Sequence, residues 1–248
     1  MTAFAVVIPA YNETATIREV AAAACQQCEQ VIVVDDGSTD GTAECLTGLP
    51  VVLLRHTANN GKAASLWSGM QHAVAQGVDA VITLDGDGQH DPTLIPQLIA
   101  AFEREPGRII IAARLRQRHI VPRARRFANA QADFWLSWAS GHRIYDSQSG
   151  FRVYPAALLS RLQLSTRRRG FVFESELLIE AAKRYYYTRP VVIDAIYRPQ
   201  ARASYYRPWR DTLLIIRMVA WKLISRGLYL SGLWRAYGSS APDHRPVH

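Results

Sequence analysis

The sequence predicts an α/β domain built on a mostly parallel sheet flanked by helices, with a helical tail behind it. Three observations carry this. Short runs rich in β-branched residues alternate with longer windows of helical periodicity four times over roughly the first 115 residues. The strand runs are apolar throughout rather than alternating, as strands covered on both faces are. The chain has 248 residues, 49% of them hydrophobic, which is ample for a packed core.

The strands are expected at "FAVVI" (4–8), "QVIVVDD" (30–36), "VVLLR" (51–55), "AVITLD" (80–85) and "RIIIAA" (108–113). Helices are expected near 14–27, 41–47, 62–76 and 92–104. The third of these ends at Gly77, a natural residue just past a helix C-terminus, and the fourth starts with Asp91 as N-cap and Pro92 in the first turn. Such alternation reads as a doubly wound parallel sheet.

After residue 115 the pattern changes to an arginine-rich stretch, an aromatic helix, "DSQSGFRVYP", "RRRGFVFESELLIEAAKR" and a strand-like "RPVVIDAIY". No repeat or linker separates these from the sheet. The expected organisation is a domain over 1–207, with a donor-binding half at 1–115 and an acceptor half at 116–207. A C-terminal amphipathic or interfacial helix over 208–237 and a disordered tail over 238–248 follow. The window "DTLLIIRMVAWKLISRGLYL" (211–230) is interrupted by Arg217, Lys222 and Arg226 and is therefore not expected to span a bilayer. It can lie in a membrane interface with Trp221, Tyr229 and Trp234 as anchors, or be buried in a contact between copies. Oligomeric state is left open.

Formal charge is +8, and 26 arginines stand against 3 lysines. Arginine is the planar fork that binds phosphate bidentately, so an anionic partner is expected. Nucleic acid is disfavoured: nothing resembles a nucleic-acid module, and the basic residues flank an acidic loop that would repel a phosphate backbone. Three cysteines suit a reducing compartment. Cys25 and Cys28 are spaced as a C-x-x-C, but no second ligand pair accompanies them, so they are read as small helix residues. Met1 leads into "FAVVIPA" without a basic n-region or a cleavage site, so no secretory signal and a cytoplasmic protein, possibly peripheral on the membrane, are expected.

Ligands bind beyond the carboxyl ends of the strands in such sheets, so the loops there matter most. They are "PAYNE" (9–13), "DDGSTDGT" (35–42), "HTANNGK" (56–62) and "DGDGQHDP" (85–92). In the last, Asp85 and Asp87 form a D-x-D with no soft ligand nearby, a chemistry that suits Mg²⁺ or Mn²⁺ bound through one or two carboxylates plus substrate phosphates. Asp36 can accept a hydrogen bond from a nucleobase N–H while Asp35 braces its loop. Tyr11, after Pro9, can cover a base, and Glu13 can reach ribose hydroxyls. Lys62 starts a helix near any phosphate.

The ordered set "IPAYNE", "VVDDGSTDGT", "NGKAAS", "LDGDGQHDP" and "SGFR" resembles family 2 glycosyltransferases of the GT-A fold, in the branch of dolichol-phosphate mannosyltransferase and the bacterial polyprenyl-phosphate glycosyltransferases. The likeness runs over about residues 4 to 205. It implies an inverting hexosyltransferase that uses a UDP- or GDP-sugar. Position by position, it implies that Asp36 and Glu13 hold the nucleoside and that Asp85 lies near the ribose or diphosphate. Asp87 and Gln89 meet the metal, with Asp85 beside them. Asp91 keeps its capping role. Gly150 and Arg152 match the segment that shapes the sugar pocket, with Asp146 just upstream. Glu176 is the candidate base and Glu174 the fallback. Arg114, Arg126 and Arg202 resemble the positions that bind donor and acceptor phosphates.

The resemblance implies a polyprenyl phosphate or other lipid-linked acceptor. A lipid phosphate is already an anion and needs little general-base help. Two departures bear on the acceptor: relatives of this branch often append paired transmembrane helices, and "ARASYYRPWRDT" matches the acceptor-loop pattern loosely. A soluble or different membrane-associated acceptor is the alternative.

Overall fold

Seven strands form one sheet: β1 (Phe4–Ala10), β2 (Gln30–Asp35), β3 (Val52–Arg55), β4 (Ala80–Thr83), β5 (Ile109–Ala113), β6 (Arg152–Pro155) and β7 (Thr188–Val192). The structure is a computed structural model and describes residues 2–115, 123–166, 170–194 and 208–238. The strand order is β3-β2-β1-β4-β6-β5-β7. β1 lies parallel to both β2 and β4, and β5 lies parallel to β7. β6 is the exception, since it runs antiparallel between β4 and β5. The "RVYP" segment, for which no strand is expected, is therefore a central strand, and all four of its residues are buried.

The helices are α1 (Ile17–Cys25), α2 (Lys62–Ala75), α3 (Ile95–Arg104), α4 (Arg123–Ser140), α5 (Ala156–Leu159), α6 (Gly170–Ala182), α7 (Pro208–Ile224) and α8 (Leu230–Tyr237). They cover both faces of the sheet. On one face Val7, Val34 and Tyr154 pack with Leu66 and Met70 of α2, Leu136 of α4, Phe173 and Leu177 of α6, and Ile215 and Val219 of α7. On the other, Val6, Ile8, Val33 and Ile82 pack with Ile17 and Val20 of α1 and Ile95, Leu98 and Phe102 of α3. Successive β1 residues thus point into opposite hydrophobic layers, which is why its sequence shows no polar alternation. Gly69 sets the closeness of α2 to the sheet, because a Cβ there would run into Val7 and Val34. Truncating a buried aliphatic residue such as Ile8 to Ala costs about 2–5 kcal/mol.

Two expected helices differ. Over 41–47 there is a single 3₁₀ turn, Glu44–Leu46, held short by Gly41 and Gly48, both with positive φ. The 211–230 window is broken, since α7 stops at Ile224 and Leu228 and Tyr229 adopt left-handed φ of 64° and 41° before α8 begins. The cap at residue 91 is as expected, with Asp91 Oδ1 accepting from the Thr93 N–H at 2.9 Å. α1 ends at Cys25, so Cys28 lies in the turn beyond it; both thiols are free. Among the described residues, no helix is long and apolar enough to cross a membrane. The expected tail lies outside the described residues from 239 onward.

Candidate active site

Because β1, β2 and β4 run parallel, the loops that follow them emerge at one edge and brace one another there. The Asn12 N–H donates to Ser38 Oγ at 2.9 Å, Asn12 Oδ1 accepts from the Thr39 N–H at 2.9 Å, and the Glu13 N–H donates to Thr42 Oγ1 at 2.8 Å. Asn12 adopts a φ of 55° to make the turn. Thr16 Oγ1 donates to the Gly86 carbonyl at 2.7 Å, tying the first loop to the Asp-Gly-Asp loop.

These loops enclose a cavity of about 360 Å³. Pro9, Tyr11, Glu13 and Asp36 line it from the β1 and β2 ends, and Asp85, Asp87 and Gln89 line it from the β4 end. Lys62 of α2 and Arg114 after β5 close the ring of charge. Nine residues read from five separate stretches of sequence meet at this one cavity. Of the other expected residues, three described ones do not line it. Arg126 is exposed on α4, and Arg202 lies outside the described residues. Arg152 and Glu176 are buried elsewhere, as described below.

Asp36 lines the cavity at the β2 end. Its Oδ1 takes His56 Nδ1 at 2.7 Å and the Asn60 N–H at 3.1 Å, and its Oδ2 accepts from the Gly61 N–H at 2.7 Å. This carboxylate therefore holds the 56–61 loop in place while forming part of the wall. Asp35 braces its own loop, accepting from the Ser38 N–H at 2.9 Å and pairing with Arg55 Nε at 3.1 Å.

Lys62 Nζ sits 2.7 Å from Asp85 Oδ1 and 3.3 Å from Glu174 Oε2, with the Phe171 ring centroid 5.2 Å away. Two glycines permit this. A Cβ on Gly150 would run into the Asp85 carboxylate, and a Cβ on Gly170 would meet the Lys62 side chain at 2.8 Å. Burial alone would raise the Asp85 pKa, but the charge and hydrogen bond of Lys62 outweigh it, helped by His90 and Arg114, and hold it below the usual carboxylate range. Burial opposes the charge on Lys62 too, and Asp85 and Glu174 more than restore it, so its pKa is raised. Asp87 behaves differently. Burial and the like charge of Asp85 push it up, outweighing the Gln89 N–H, 3.0 Å from Oδ1, and the charges of Lys62 and Arg114. Asp85 already has its counter-ion in Lys62, whereas Asp87 is a carboxylate held at a cost beside another.

Arg114 is fixed by a bidentate pair, with Nε 2.9 Å from Asp146 Oδ2 and Nη2 3.0 Å from Oδ1, and its N–H also donates to Oδ2 at 2.9 Å. Burial would raise Asp146, but Arg114 dominates and brings it down to about 2. Asp133 of α4 accepts from the N–H groups of Asp146 and Ser147 at 3.2 and 2.8 Å, which holds this turn open towards the cavity.

Among the lining residues that sequence reasoning missed, three carry unpartnered polar atoms. His90 Nδ1, Asn129 Oδ1 and Gln148 Oε1 are each buried without a protein partner, and all three residues line the cavity. Burial and the Arg114 cation push His90 down to about 4, so its ring is neutral near pH 7. Groups buried without partners carry a desolvation cost that a hydroxyl-bearing ligand relieves. Gln148 and His90 lie within stretches that drew notice for other residues. Asn129 carried no local signal.

Arg152 works behind this wall. It is 1% exposed and donates to the carbonyls of Ser147 and Ser149, both at 2.7 Å, and to the Tyr154 hydroxyl at 2.9 Å. It thereby holds the turn that carries Gln148 and does not line the cavity. Glu176 faces α7, where Oε1 pairs with Lys222 Nζ at 2.9 Å. Glu174, one residue pair earlier, is the carboxylate that reaches the site through Lys62.

Among the described residues, no three His, Cys, Asp or Glu side chains converge to hold a metal by themselves. Asp87, with Asp85 and Gln89 nearby, offers the hard oxygen donors that Mg²⁺ or Mn²⁺ uses when a substrate diphosphate supplies the remaining ligands. The residues present fit that arrangement.

The sequence model of glycosyl transferase family 2 matches residues 5–161. The UDP-N-acetylglucosamine–dolichyl-phosphate N-acetylglucosaminyltransferase of Methanococcus voltae is 27% identical over 218 residues, covering 79% of this chain and 87% of its own. The polyprenol monophosphomannose synthase of Mycolicibacterium smegmatis is 27% identical over 69% of each chain. Glucosyl-3-phosphoglycerate synthase from Mycobacterium tuberculosis, in a complex with Mn²⁺, UDP-glucose and glycerol 3-phosphate, superposes with a TM-score of 0.64 at 22% identity, covering 91% of this chain and 80% of that one. That likeness is one of fold, the GT-A fold. With the family match spanning more than half its length, the chain belongs to glycosyl transferase family 2 and is a glycosyltransferase.

Proposed function

We propose that this protein moves one sugar from a UDP- or GDP-sugar to a polyprenyl phosphate at the cytoplasmic face of a membrane, with inversion and with Mg²⁺ or Mn²⁺. The observation that carries the donor half is the charge pattern of the cavity: an Asp85–Asp87 pair flanked by Lys62 and Arg114 at the carboxyl ends of parallel strands. The nucleoside would lie against Tyr11, Glu13 and Asp36, and the diphosphate between Lys62, Arg114 and the acidic loop. A bound divalent cation at Asp87, with Gln89 and Asp85, would offset charge on the departing diphosphate.

The two relatives, a dolichyl-phosphate N-acetylglucosaminyltransferase and a polyprenol monophosphomannose synthase, support the acceptor. So does the placement of the carboxylates. A phosphate monoester oxygen attacks the anomeric carbon as the bond from that carbon to the diphosphate oxygen breaks. The nucleotide diphosphate leaves with the bonding pair, and no proton has to move. Such a reaction needs no base, and neither Glu174, held by Lys62, nor Glu176, held by Lys222, is available as one. Three free cysteines suit a reducing cytoplasm.

The test is transfer of radiolabelled sugar from UDP- and GDP-sugars to polyprenyl phosphate with Mn²⁺. Labelled lipid with the wild type and none with Asp87→Asn is expected; no transfer from any common donor overturns the reading.

A further inference from the structure

Among the described residues, nothing covers the outer face of the C-terminal helices. On α7, Leu213, Arg217, Trp221 and Ile224 recur at spacings of four, four and three, which places them on one stripe, and all four are exposed. On α8, Leu230, Trp234 and Tyr237 recur at four and three and are exposed likewise. With Leu228 in the connecting turn, six large apolar side chains, Leu213, Trp221, Ile224, Leu228, Leu230 and Trp234, are 50–71% exposed. Monomeric soluble surfaces carry such residues singly; a run of them marks an interaction surface.

The turn between the helices is built, not slack. Trp138 of α4 donates its indole N–H to the carbonyls of Leu228 and Tyr229, both at 3.1 Å. The Arg226 guanidinium stacks on the Tyr229 ring at 4.1 Å and donates to the Ala139 carbonyl at 3.3 Å. Both helices are thereby fixed against α4, which also carries Asn129 into the cavity wall. The apolar face and the cavity share one supporting helix.

The charge on this face selects its occupant. Between residues 212 and 238 the sequence holds Arg217, Lys222, Arg226 and Arg235 and no Asp or Glu. Lys222 is turned inward to Glu176 and Glu180 and Arg226 towards α4, which leaves Arg217 and Arg235 exposed among the apolar side chains. A second copy meeting this face through the same face would bring further cations and no carboxylate to neutralise them. An anionic bilayer offers what the face lacks: hydrocarbon for Leu and Ile, an interfacial zone for Trp, and phosphates for Arg. We infer that the outer face of α7 and α8 docks the protein on an anionic lipid surface, lying in the interface and bringing the cavity to membrane-held acceptor. This deepens the proposed function and rests on it for the acceptor only.

The test is co-sedimentation of the full chain with vesicles of phosphatidylcholine alone and of phosphatidylcholine with phosphatidylglycerol, beside transfer to a short, water-soluble prenyl phosphate. Wild type is expected to pellet with the anionic vesicles and not with the neutral ones, and less so as salt rises. The double variant Trp221→Ser, Trp234→Ser is expected to lose about tenfold or more in vesicle affinity while keeping transfer to the soluble acceptor, which shows it folded. Arg217→Glu is expected to weaken binding to anionic vesicles. Wild type that ignores anionic vesicles, a double variant that binds them like wild type, or a dimer in sedimentation velocity that the double variant disperses would each overturn the inference. Docking without any sugar transfer defeats the proposed function and leaves the docking face standing; transfer without docking does the reverse.

Discussion

Lys62 Nζ lies 2.7 Å from Asp85 Oδ1, so the first carboxylate of the Asp-Gly-Asp loop meets a counter-ion from the helix that follows β3. The same ammonium reaches Glu174 on α6, and it therefore joins three elements that are remote in sequence. Replacing it leaves two carboxylates near one another without their cation.

Lys62→Met is accordingly expected to destabilise the fold by roughly 2–3 kcal/mol, because one member of a largely buried ion pair is removed and the others stay charged. Chemical denaturation measures this, and Lys62→Arg should recover part of the loss. A Lys62→Met protein as stable as the wild type would show that the pair contributes nothing.

Asp146 gives a pH dependence with a definite sign. Its folded pKa is held down to about 2 by Arg114, below an unfolded value of about 3.9. A depressed carboxylate pKa contributes stability that is fully present above the unfolded value and lost as pH falls towards the folded one. The contribution is on the order of 2 kcal/mol and should disappear between about pH 4 and pH 2. Asp146→Asn is expected to be less stable at pH 7 and to show a flatter decline across that window in urea titrations. Parallel declines for the two proteins would contradict the assignment.

Gln148 and Asn129 present buried acceptor oxygens to the cavity without protein partners. If the sugar's hydroxyls satisfy them, Gln148→Leu should raise the KM for the nucleotide sugar by about tenfold, since one lost hydrogen bond costs about 1–2 kcal/mol. Inhibition by the free nucleotide diphosphate should stay unchanged. Equal losses for both ligands would place Gln148 on the nucleotide instead.

Glu176→Gln is expected to lower stability through Lys222 and to leave the turnover number within about twofold of the wild type, because surroundings remote from reacting atoms act through folding alone. Steady-state kinetics on the folded fraction measures it. A loss of a hundredfold or more would restore Glu176 as a base.

Much of this was legible in the sequence, and what was not has identifiable causes. The parallel strands announced themselves as β-branched runs, and the residues just beyond them assembled into one cavity because a parallel sheet brings those ends together. β6 was hidden because Arg152 and Pro155 interrupt its apolar pattern and because its place between β4 and β5 depends on non-local pairing. The choice between Glu174 and Glu176 turns on helix phase. The two lie about 200° apart on α6, so one faces the cavity side and the other α7, and only the positions of Lys62 and Lys222 decide which. The break after Ile224 had a local sign in Arg226-Gly227, outweighed by the apolar run on either side.

The most direct test of the central claim is calorimetric titration of UDP and of GDP into the wild type and into Asp87→Asn, with and without Mn²⁺. One nucleotide binding the wild type only when Mn²⁺ is present, and failing to do so in Asp87→Asn, is the expected result. Neither nucleotide binding under any condition, or Asp87→Asn binding as tightly as the wild type, would contradict it.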